Sequence, residues 1–329
     1  MRPALEDLLD RLHVLALPMR VRFRGVTVRE VALVDGPAGW GEFGAFPEYG
    51  PAEAVHWLAS AIESAYRPKP LALRQRIPIN ATVPAVGPAE VPGVLARFPG
   101  ATTAKVKVAE AGQTLRDDVE RVNEVRALVP TVRVDANGGW SVDQAAAALR
   151  ALTADGPLEY VEQPCRTVPE LAEVRARTDV AVAADESIRR AQDPLAVVRA
   201  GAADVAVLKV APLGGIAAVL DIAARVDIPV VVSSALDSAV GIAAGLAAAA
   251  ALPRLEHACG LGTGGLFVTD VADLEVLDGH LPVVGVTPDP DRLRSLAVPA
   301  ERRRWWVDRV RECYPLLIDQ SSSGQTASG

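Results

Sequence analysis

Short apolar runs rich in β-branched residues recur along the middle of this 329-residue chain, and each is followed by a turn and an Ala-rich helical stretch. The runs are 104–108, 131–135, 158–162, 180–185, 205–209 and 228–233, and their corresponding end positions are 107, 135, 162, 185, 209 and 234. These ends are 23 to 28 residues apart, the length of one strand–helix unit. Strands that alternate with helices at this period form parallel βαβ units.

These units predict a closed barrel. A first strand over 77–83 and a last one near 255–259 bring the total to about eight, the number in a TIM-type barrel. A doubly wound open sheet is the alternative, but no Gly-rich phosphate loop follows any of the runs. We therefore expect an α/β fold whose barrel spans residues 77–265.

The two ends of the chain differ from the middle and predict a second, smaller part. In chain order they contain alternating strands at 13–17, 26–34 and 39–43, a helix at 51–66, a hairpin-like stretch turning at Asp278-Gly279 and a helix through Trp305 and Trp306. We expect residues 1–76 and 266–318 to form one α+β domain that caps the barrel. The small, polar segment 319–329 is expected to be a flexible tail.

Composition and charge limit the function classes. Half of the residues are hydrophobic and 23% are charged, as in globular proteins, and 34 basic residues face 41 acidic ones, for a net charge of −7. This balance gives no basic face for nucleic acid or for an anionic membrane. The longest apolar run, 239–252, is too short to span a bilayer, so we expect no membrane insertion. The acidic N-terminus does not fit a signal peptide, which predicts a cytoplasmic protein.

Lysine is scarce in this chain. Of the 34 basic residues, 30 are Arg and four are Lys, at positions 69, 105, 107 and 209. Arginine keeps its proton in proteins, whereas a desolvated lysine can titrate and act as a base. Lys69, between two prolines, is readily explained by drift. Lys107 and Lys209 end two strand-like runs, and this placement favours functional roles for both.

Carboxylates occupy the ends of three successive strand-like runs, at Asp135, Glu162 and Asp185. Because the carboxyl ends of parallel barrel strands meet at the active face, these side chains should converge. Converging carboxylates repel one another without a cation, and they suit a hard, oxygen-liganded ion such as Mg²⁺. The alternative is three unrelated loop carboxylates, which their shared phase in the repeat disfavours. The three separate cysteines, without a CxxC pair, indicate neither a zinc site nor a disulfide framework.

Lys107 and Lys209 would face each other across this ion. A divalent ion bound to a substrate carboxylate stabilises the enolate that forms when the neighbouring proton leaves. A lysine close to the metal and shielded from water has a lowered pKa and can serve as the base. The implied chemistry is proton abstraction next to a carboxylate.

Together these motifs resemble a known family. They are Lys105-x-Lys107, Asp135-x-Asn137, Glu162-Gln-Pro, Asp185-Glu-Ser and Lys209, supported by Gly39-Trp-Gly-Glu-Phe, Arg133-Val-Asp-Ala-Asn, Ser233-Ser-Ala-Leu-Asp-Ser-Ala-Val-Gly and Gly262-Thr-Gly-Gly. The chain resembles the muconate-lactonising branch of the enolase superfamily and, within it, the o-succinylbenzoate synthases of menaquinone biosynthesis. The resemblance extends over nearly the whole chain, to about residue 315.

The resemblance implies a modified TIM barrel, (β/α)7β, with an α+β capping domain formed by the N- and C-terminal segments. It implies that Asp135, Glu162 and Asp185 bind Mg²⁺ or Mn²⁺. The implied reaction is syn dehydration of a small-molecule dicarboxylate, 2-succinyl-6-hydroxy-2,4-cyclohexadiene-1-carboxylate, through an enediolate. Lys107 would be the base and then return its proton to the leaving hydroxyl, and protonated Lys209 would stabilise the enediolate, partly by a cation–π contact.

Other residues would have supporting roles. The resemblance implies that Lys105 supports the metal site electrostatically and that Asn137 lies near the metal. Arg133 either contacts the metal ligands or the substrate, or neutralises acidic charge. Loops at 17–21 and at Phe46-Pro47 are expected to close over the site.

A substrate-binding role is expected for residues that follow the late strands: Ser233, Ser234, Gly262, Thr263 and Gly264. Their backbone N–H groups could hold the succinyl carboxylate. The alternative for each of these residues is that it merely forms a turn.

Two other functions remain open from the sequence. An N-succinylamino acid racemase or a dipeptide epimerase would use the same machinery, and the lysine pair does not discriminate against a racemase. Epimerases of this branch usually carry an Asp-x-Asp motif after the last strand, which 255–265 lacks. A different class is an inactive barrel that serves as a binding protein, but such a barrel would have lost a ligand or a lysine. The sequence is compatible with a monomer or a small homo-oligomer.

Overall fold

The structure is a computed structural model that describes residues 3–23, 25–191 and 193–322, with side chains up to residue 317. Its strands are β1 (Leu12–Phe23), β2 (Val26–Gly36), β3 (Gly39–Phe43), β4 (Arg76–Pro78), β5 (Ala81–Val83), β6 (Thr103–Lys107), β7 (Thr131–Asp135), β8 (Val161–Glu162), β9 (Val182–Ala184), β10 (Val205–Lys209), β11 (Val230–Ser233) and β12 (His280–Pro282). Its α-helices are α1 (Leu5–Asp10), α2 (Pro51–Tyr66), α3 (Val91–Leu95), α4 (Leu115–Leu128), α5 (Val142–Leu152), α6 (Val168–Arg177), α7 (Glu186–Arg189), α8 (Ala196–Arg199), α9 (Val210–Leu213), α10 (Ile216–Ala224), α11 (Ala239–Ala251), α12 (Pro290–Ser295) and α13 (Ala300–Ser322).

Strands β5 to β11 form one parallel, seven-stranded sheet in chain order, as the strand–helix repeat predicts. The sheet closes through two residues of the chain after α11, because Cys259 pairs with Ile79 beside β5 and Gly260 pairs with Ser233 of β11. The bonds from Asn80 N to Cys259 O and from Ser234 N to Gly260 O are each 2.9 Å long. The predicted (β/α)7β barrel is confirmed, with a two-residue bridge as its last strand.

Local sequence signals position several helices of the barrel. The residues that precede α4, α5 and α6 are Thr114, Ser141 and Thr167, and each forms a capping box with the residue three positions later, Asp117, Gln144 and Glu170. The hydroxyl accepts a bond from an otherwise unpaired N–H, and the later side chain accepts one from the cap residue. These caps begin the helices a short distance after the strands end, so a short loop separates each strand from the helix that follows it.

The predicted first barrel strand, 77–83, is two strands in the structure. Strand β4 pairs antiparallel with β12, and only β5 joins the parallel sheet. Pro78 has no N–H to donate, so the chain cannot continue one ladder through this position. The predicted turn at Asp278-Gly279 forms, but β12 after it pairs with β4 and buries Leu281 in the barrel core. This part of 266–318 therefore packs on the barrel and not in the capping part.

The capping part is built from both ends of the chain. Strands β1, β2 and β3 form an antiparallel sheet, and α2, at the predicted helix 51–66, packs on it together with α13. The shared core contains Trp57 of α2 and Trp306 of α13, both almost fully buried, and the ring of Trp306 meets Phe43 of β3 edge-on at 5.4 Å. Helix α13 continues to Ser322, into the predicted tail, and 323–329 lie outside the described residues.

Close packing between β3 and α2 requires a glycine. A Cβ at Gly41 would collide with the backbone carbonyl of Ala61 on α2. This contact seats the helix on the sheet. In the part of the chain that the structure describes, no helix has the length and apolar character needed to cross a membrane.

Candidate active site

The strand ends bring the predicted site residues to one edge of the barrel. Lys107 is paired in register with Asp135, and Asp135 with Glu162, on the neighbouring strands β6, β7 and β8. Asp185 follows β9 directly, and Lys209 is the last residue of β10. All five side chains therefore start from the carboxyl ends of consecutive parallel strands, where barrel enzymes place their active sites.

Each of the three predicted carboxylates forms an ion pair with a lysine. The ammonium nitrogen lies 2.7 Å from the carboxylate between Lys105 and Glu162, and Lys105 also approaches Asp135 at 3.5 Å. The distance is 2.5 Å both between Lys107 and Asp135 and between Lys209 and Asp185. The three carboxylates are 1% exposed or less, so water screens these pairs weakly.

The three carboxyl groups differ in pKa: two are lowered and one is raised. Burial works against ionisation, but Lys107 and Lys105 outweigh it and hold the pKa of Asp135 well below its usual range. Lys209 and Arg189 overcome burial in the same way and lower the pKa of Asp185. Burial and the neighbouring Asp135 carboxylate instead raise the pKa of Glu162 to about 7. Glu162, whose strand lies between those that carry Asp135 and Asp185, therefore has the carboxyl group that is hardest to ionise.

The two lysines on β6 also differ. Burial lowers the pKa of Lys107, and the adjacent Lys105 ammonium lowers it further against the opposing effect of Asp135. For Lys105, burial is outweighed by Glu162 and Asp135, which raise its pKa. Lys107 is thus the lysine that gives up its proton more readily, as a base must. Its ammonium nitrogen also donates to Asn137 Oδ1 at 2.6 Å.

The carboxylates suit a hard divalent cation in their chemistry. They are buried oxygen donors on neighbouring strands, and their mutual repulsion, visible in the raised pKa of Glu162, is what a cation relieves. Within the described ranges, no three His, Cys, Asp or Glu side chains are already arranged around one metal position. In this structure, lysine ammonium groups lie against the carboxylate oxygens instead. Asp135, Glu162 and Asp185 could hold a metal once these ammonium groups move away.

Arg133 lies deeper in the barrel than the carboxylate edge. Its guanidinium pairs with Glu159, donates to Asn80 Oδ1 at 3.2 Å and to Ala258 O at 2.7 Å, and lies over the Tyr160 ring at 4.6 Å. Burial acts to raise the pKa of Glu159. Its hydrogen bonds to His257 and to the Arg133 guanidinium outweigh burial and lower this pKa to about 2. In this position Arg133 neutralises acidic charge inside the barrel.

The predicted substrate-binding residues divide between two cavities. A small cavity of about 30 Å³ is lined by Ser233, Ser234 and Thr263 together with the three lysines of the site. The Ser234 and Thr263 hydroxyls are hydrogen-bonded at 2.6 Å. Gly262 and Gly264 line a separate groove of about 730 Å³ on the other side of the same turn. Only the serines and Thr263 therefore face the lysines.

Phe23 and Arg189 were missed from the sequence, and Phe46 was expected in a different place. Phe23, at the end of β1 in the capping sheet, lines the small cavity, with its ring 5.3 Å from the Lys107 ammonium nitrogen. Arg189 pairs with Asp185 at 2.9 Å, and its spacing of four residues on a helical turn could have revealed it. Phe46, expected in a closing loop, packs in the capping core against Tyr49 and Trp57.

Comparisons with known proteins agree with this geometry. The family described as Enolase C-terminal domain-like matches residues 95–291, and Enolase N-terminal domain-like matches 14–65. An o-succinylbenzoate synthase of Mycobacterium marinum is 74% identical over 318 residues, covering 96% of this chain and 97% of the relative. One of Mycobacterium tuberculosis is 72% identical over 317 residues, with the same coverage. The chain belongs to the o-succinylbenzoate synthase family, within the enolase superfamily.

Solved structures show the same fold for this member of the o-succinylbenzoate synthase family. The muconate lactonizing enzyme of Pseudomonas putida aligns with a TM-score of 0.70 at 21% identity, over 87% of this chain and 98% of that one. The enzyme of Pseudomonas fluorescens complexed with muconolactone aligns with a TM-score of 0.73 at 22% identity, over 88% and 98%. The resemblance stated from the motifs is therefore confirmed at the level of the family and of the fold.

Proposed function

We propose that this protein is an o-succinylbenzoate synthase that dehydrates 2-succinyl-6-hydroxy-2,4-cyclohexadiene-1-carboxylate in menaquinone biosynthesis. The observation that carries the proposal is the buried edge where lysines at the ends of β6 and β10 meet three carboxylates from the strands between them. That arrangement suits removal of a proton next to a carboxylate. Relatives of this name, 72–74% identical over almost their whole length, support the choice of substrate.

Lys107 acts as the base and then as the acid. Burial lowers its pKa, which favours release of the ammonium proton. The amine takes the proton from the ring carbon beside the carboxylate, and the C–H electron pair moves into an enediolate. The pair then forms the ring double bond as the C–O bond to the hydroxyl breaks. The same ammonium returns its proton to the departing hydroxide, which leaves as water, so one lysine on one face accounts for syn elimination.

Lys209 stays protonated in this scheme. Its ammonium lies 2.5 Å from Asp185, whose pKa is held low, and this contact fixes the position of the ammonium group at the site. A fixed cation in a site shielded from water stabilises the negative charge that develops on the enediolate. Lys105 orients Glu162 through bonds to both carboxylate oxygens, at 2.9 and 2.7 Å. Asn137 supports the base through its bond to Lys107.

We propose Asp135, Glu162 and Asp185 as the ligands of Mg²⁺ or Mn²⁺. Their hard oxygen donors and buried position favour these ions over softer ones. When bound, the ion would supply positive charge beside the substrate carboxylate and make the neighbouring proton more acidic. Dependence of enolase superfamily enzymes on a divalent metal supports the assignment.

The succinyl group would lie against Ser233, Ser234 and Thr263. The small cavity in front of these residues measures about 30 Å³. Ligand pockets for small molecules usually measure roughly 300–1,000 Å³, so the cavity must widen when substrate enters. Phe23 at the end of β1 covers Lys107, and outward movement of this capping segment would open the cavity.

We also propose that the protein works in the cytoplasm as a monomer or small homo-oligomer, with its capping part formed from 1–76 and from the part of 266–318 that does not pack on the barrel through β12. The core that joins α2 to α13 supports this origin of the capping part.

The test follows the ultraviolet absorbance of the cyclohexadiene dicarboxylate after mixing with purified protein, with and without Mg²⁺. We expect absorbance loss that needs Mg²⁺ and that Lys107→Ala slows by roughly a hundred-fold or more. Lys69→Ala is the matched control, because Lys69 bonds the Ser64 carbonyl away from the site and should leave the rate unchanged. Folded wild type without turnover would refute the synthase assignment and favour a racemase acting on N-acylated amino acids.

A further inference from the structure

The segment between β11 and α11 carries part of the wall of the small cavity. Ser234, Ala235 and Leu236 all line it. Leu236 is 1% exposed and has a φ of +65°, in the left-handed region. This conformation is strained for an L-residue, and it persists only when surrounding contacts hold it. The shape of the cavity wall thus depends on what binds this segment.

Arg29 of the capping sheet holds the carbonyl of the strained residue. It lies on β2, is 2% exposed, and its Nε donates to Leu236 O at 3.0 Å. The same guanidinium donates to the carbonyl of Gly44 and lies 4.2 Å from the centroid of the Phe46 ring. Contacts within the capping part therefore fix the Arg29 side chain, and its Nε extends from there to the barrel segment.

Glu42 of β3 holds the other end of the segment. Its Oε2 accepts bonds from Ser238 N at 3.0 Å, from the Ser238 hydroxyl and from Gly241 N at 3.3 Å. These groups lie in the first turn of α11, where N–H groups have no partner within the helix. A Cβ on Gly241 would lie 2.6 Å from Asp237 Cβ and 3.1 Å from Glu42 Cδ, so the carboxylate is packed directly against this turn.

Segment 234–241 connects the contacts made by Arg29 and Glu42 to the cavity. Ser234 Oγ accepts a bond from Leu236 N at 3.0 Å, and the same oxygen bonds the Thr263 hydroxyl. Neither Arg29 nor Glu42 is among the residues that line the cavity. A change in either side chain would therefore not act by direct contact with a substrate in the cavity, and the position of the segment links both side chains to the cavity wall.

We propose that Arg29 and Glu42 are positioning residues, through which the capping sheet holds segment 234–241 in the shape that binds the distal carboxylate of the substrate. The inference rests on the proposed synthase function for the identity of that carboxylate. Because both residues belong to the capping part and the segment belongs to the barrel, docking of the capping part and formation of the substrate-binding wall become one event.

The test combines hydrogen exchange with steady-state kinetics on the full-length enzyme. Arg29→Met removes the donors to Leu236, and Glu42→Ala removes the acceptor for α11. Glu63→Ala is the matched control, because Glu63 of α2 accepts bonds from Ile216 N and Ala217 N at the start of α10, which is another carboxylate contact from cap to barrel but away from the cavity. Glu42→Gln keeps an acceptor oxygen and serves as the conservative variant.

In Arg29→Met and Glu42→Ala we expect amides of 234–241 to exchange at least roughly ten-fold faster, the scale of one lost hydrogen bond. The KM should rise by a similar factor with a smaller change in kcat, and Glu42→Gln should restore most of the KM. Glu63→Ala should speed exchange at 215–220 and leave the KM unchanged.

Unchanged exchange in 234–241 in folded Arg29→Met would overturn the inference, as would faster exchange with an unchanged KM. If Glu42→Ala does not fold, Arg29→Met and Glu42→Gln still decide the outcome. Absence of turnover in the wild type would count against the proposed function. If the wild type turns over normally and the variants keep wild-type exchange in 234–241 and a wild-type KM, only this inference is refuted and the proposed function stands.

Discussion

Replacing Lys105 by methionine tests whether the buried ion pairs are organised as described. Methionine has similar length and fills the same space, so the change removes mainly the charge and the donors. Lys105 is 7% exposed, and its ammonium holds both oxygens of Glu162 and approaches Asp135. The variant therefore leaves a fully buried carboxylate without its main cation.

The expected loss of stability follows from this burial. Removing one partner of a buried ion pair costs about 3–5 kcal/mol, because the other charge remains desolvated. Burial and neighbouring carboxylates already raise the pKa of Glu162 to about 7, and loss of Lys105 raises it further. Below that pKa the carboxyl can take up a proton and become neutral. Between the unfolded value of 4.5 and its raised folded pKa, Glu162 binds a proton in the folded state that it does not bind in the unfolded state, so stability falls as the pH rises. Loss of Lys105 extends this range above about 7, so the loss of stability relative to wild type should grow between pH 7 and pH 9.

The assay is urea unfolding of wild type and variant in EDTA at pH 6, 7.5 and 9, followed by circular dichroism. Arg116→Met is the control, because its pair with Glu120 is exposed, with side-chain exposures of 86% and 46%, and its loss should change stability little. Adding Mg²⁺ should stabilise Lys105→Met more than wild type, since the metal then replaces the missing cation.

Two results would refute this reasoning. A loss below about 1 kcal/mol at every pH would mean that Glu162 does not depend on Lys105 for neutralisation. A loss that shrinks between pH 6 and pH 9 would mean that the Glu162 carboxyl is not the group left unpaired.

The remaining predictions concern the capping part. Burial, followed by the Asp237 carboxylate, raises the pKa of Glu42 from 4.5 to about 8, so its contribution to stability is present below pH 4.5 and is lost as the pH rises towards 8. Thermal melts between pH 5 and pH 9 should therefore fall more steeply for wild type than for Glu42→Gln, and parallel curves would contradict this. Gly41→Ala should cost at least ~1–3 kcal/mol in urea unfolding, because its Cβ strikes Ala61 O, whereas Gly50→Ala has open space. Equal stability of these two variants would contradict the packing of β3 on α2.

The sequence predicted the barrel and the site edge because both depend on a local repeat. In parallel strand–helix units, the phase of the repeat decides which side chain ends a strand. Lys107, Asp135, Glu162, Asp185 and Lys209 share that phase, and the structure places all five at one edge. The helical spacing of residues 51–66 likewise predicted the capping helix α2.

The sequence was less informative where a strand depends on a distant partner. The split of 77–83 into β4 and β5 requires β12, about 200 residues later, and only the antiparallel pairing with β12 separates the two strands. Strand β11 begins at Val230 and not at the predicted 228, because Pro229 has no N–H to donate. Proline was visible in the sequence and could have corrected this boundary.

What the sequence by itself determined is therefore the order of strands and helices, the edge at which the lysines and carboxylates meet, and the family. Tertiary structure alone decided which lysine pairs with which carboxylate, why Lys107 has a lowered pKa while Lys105 has a raised one, and how Phe23 lies against Lys107. It also decided that Arg29 and Glu42 reach segment 234–241 across about 200 residues of chain. The physical reason is that periodicity fixes which face a side chain occupies within its own element, whereas burial and distance between charges arise only when separate elements pack together.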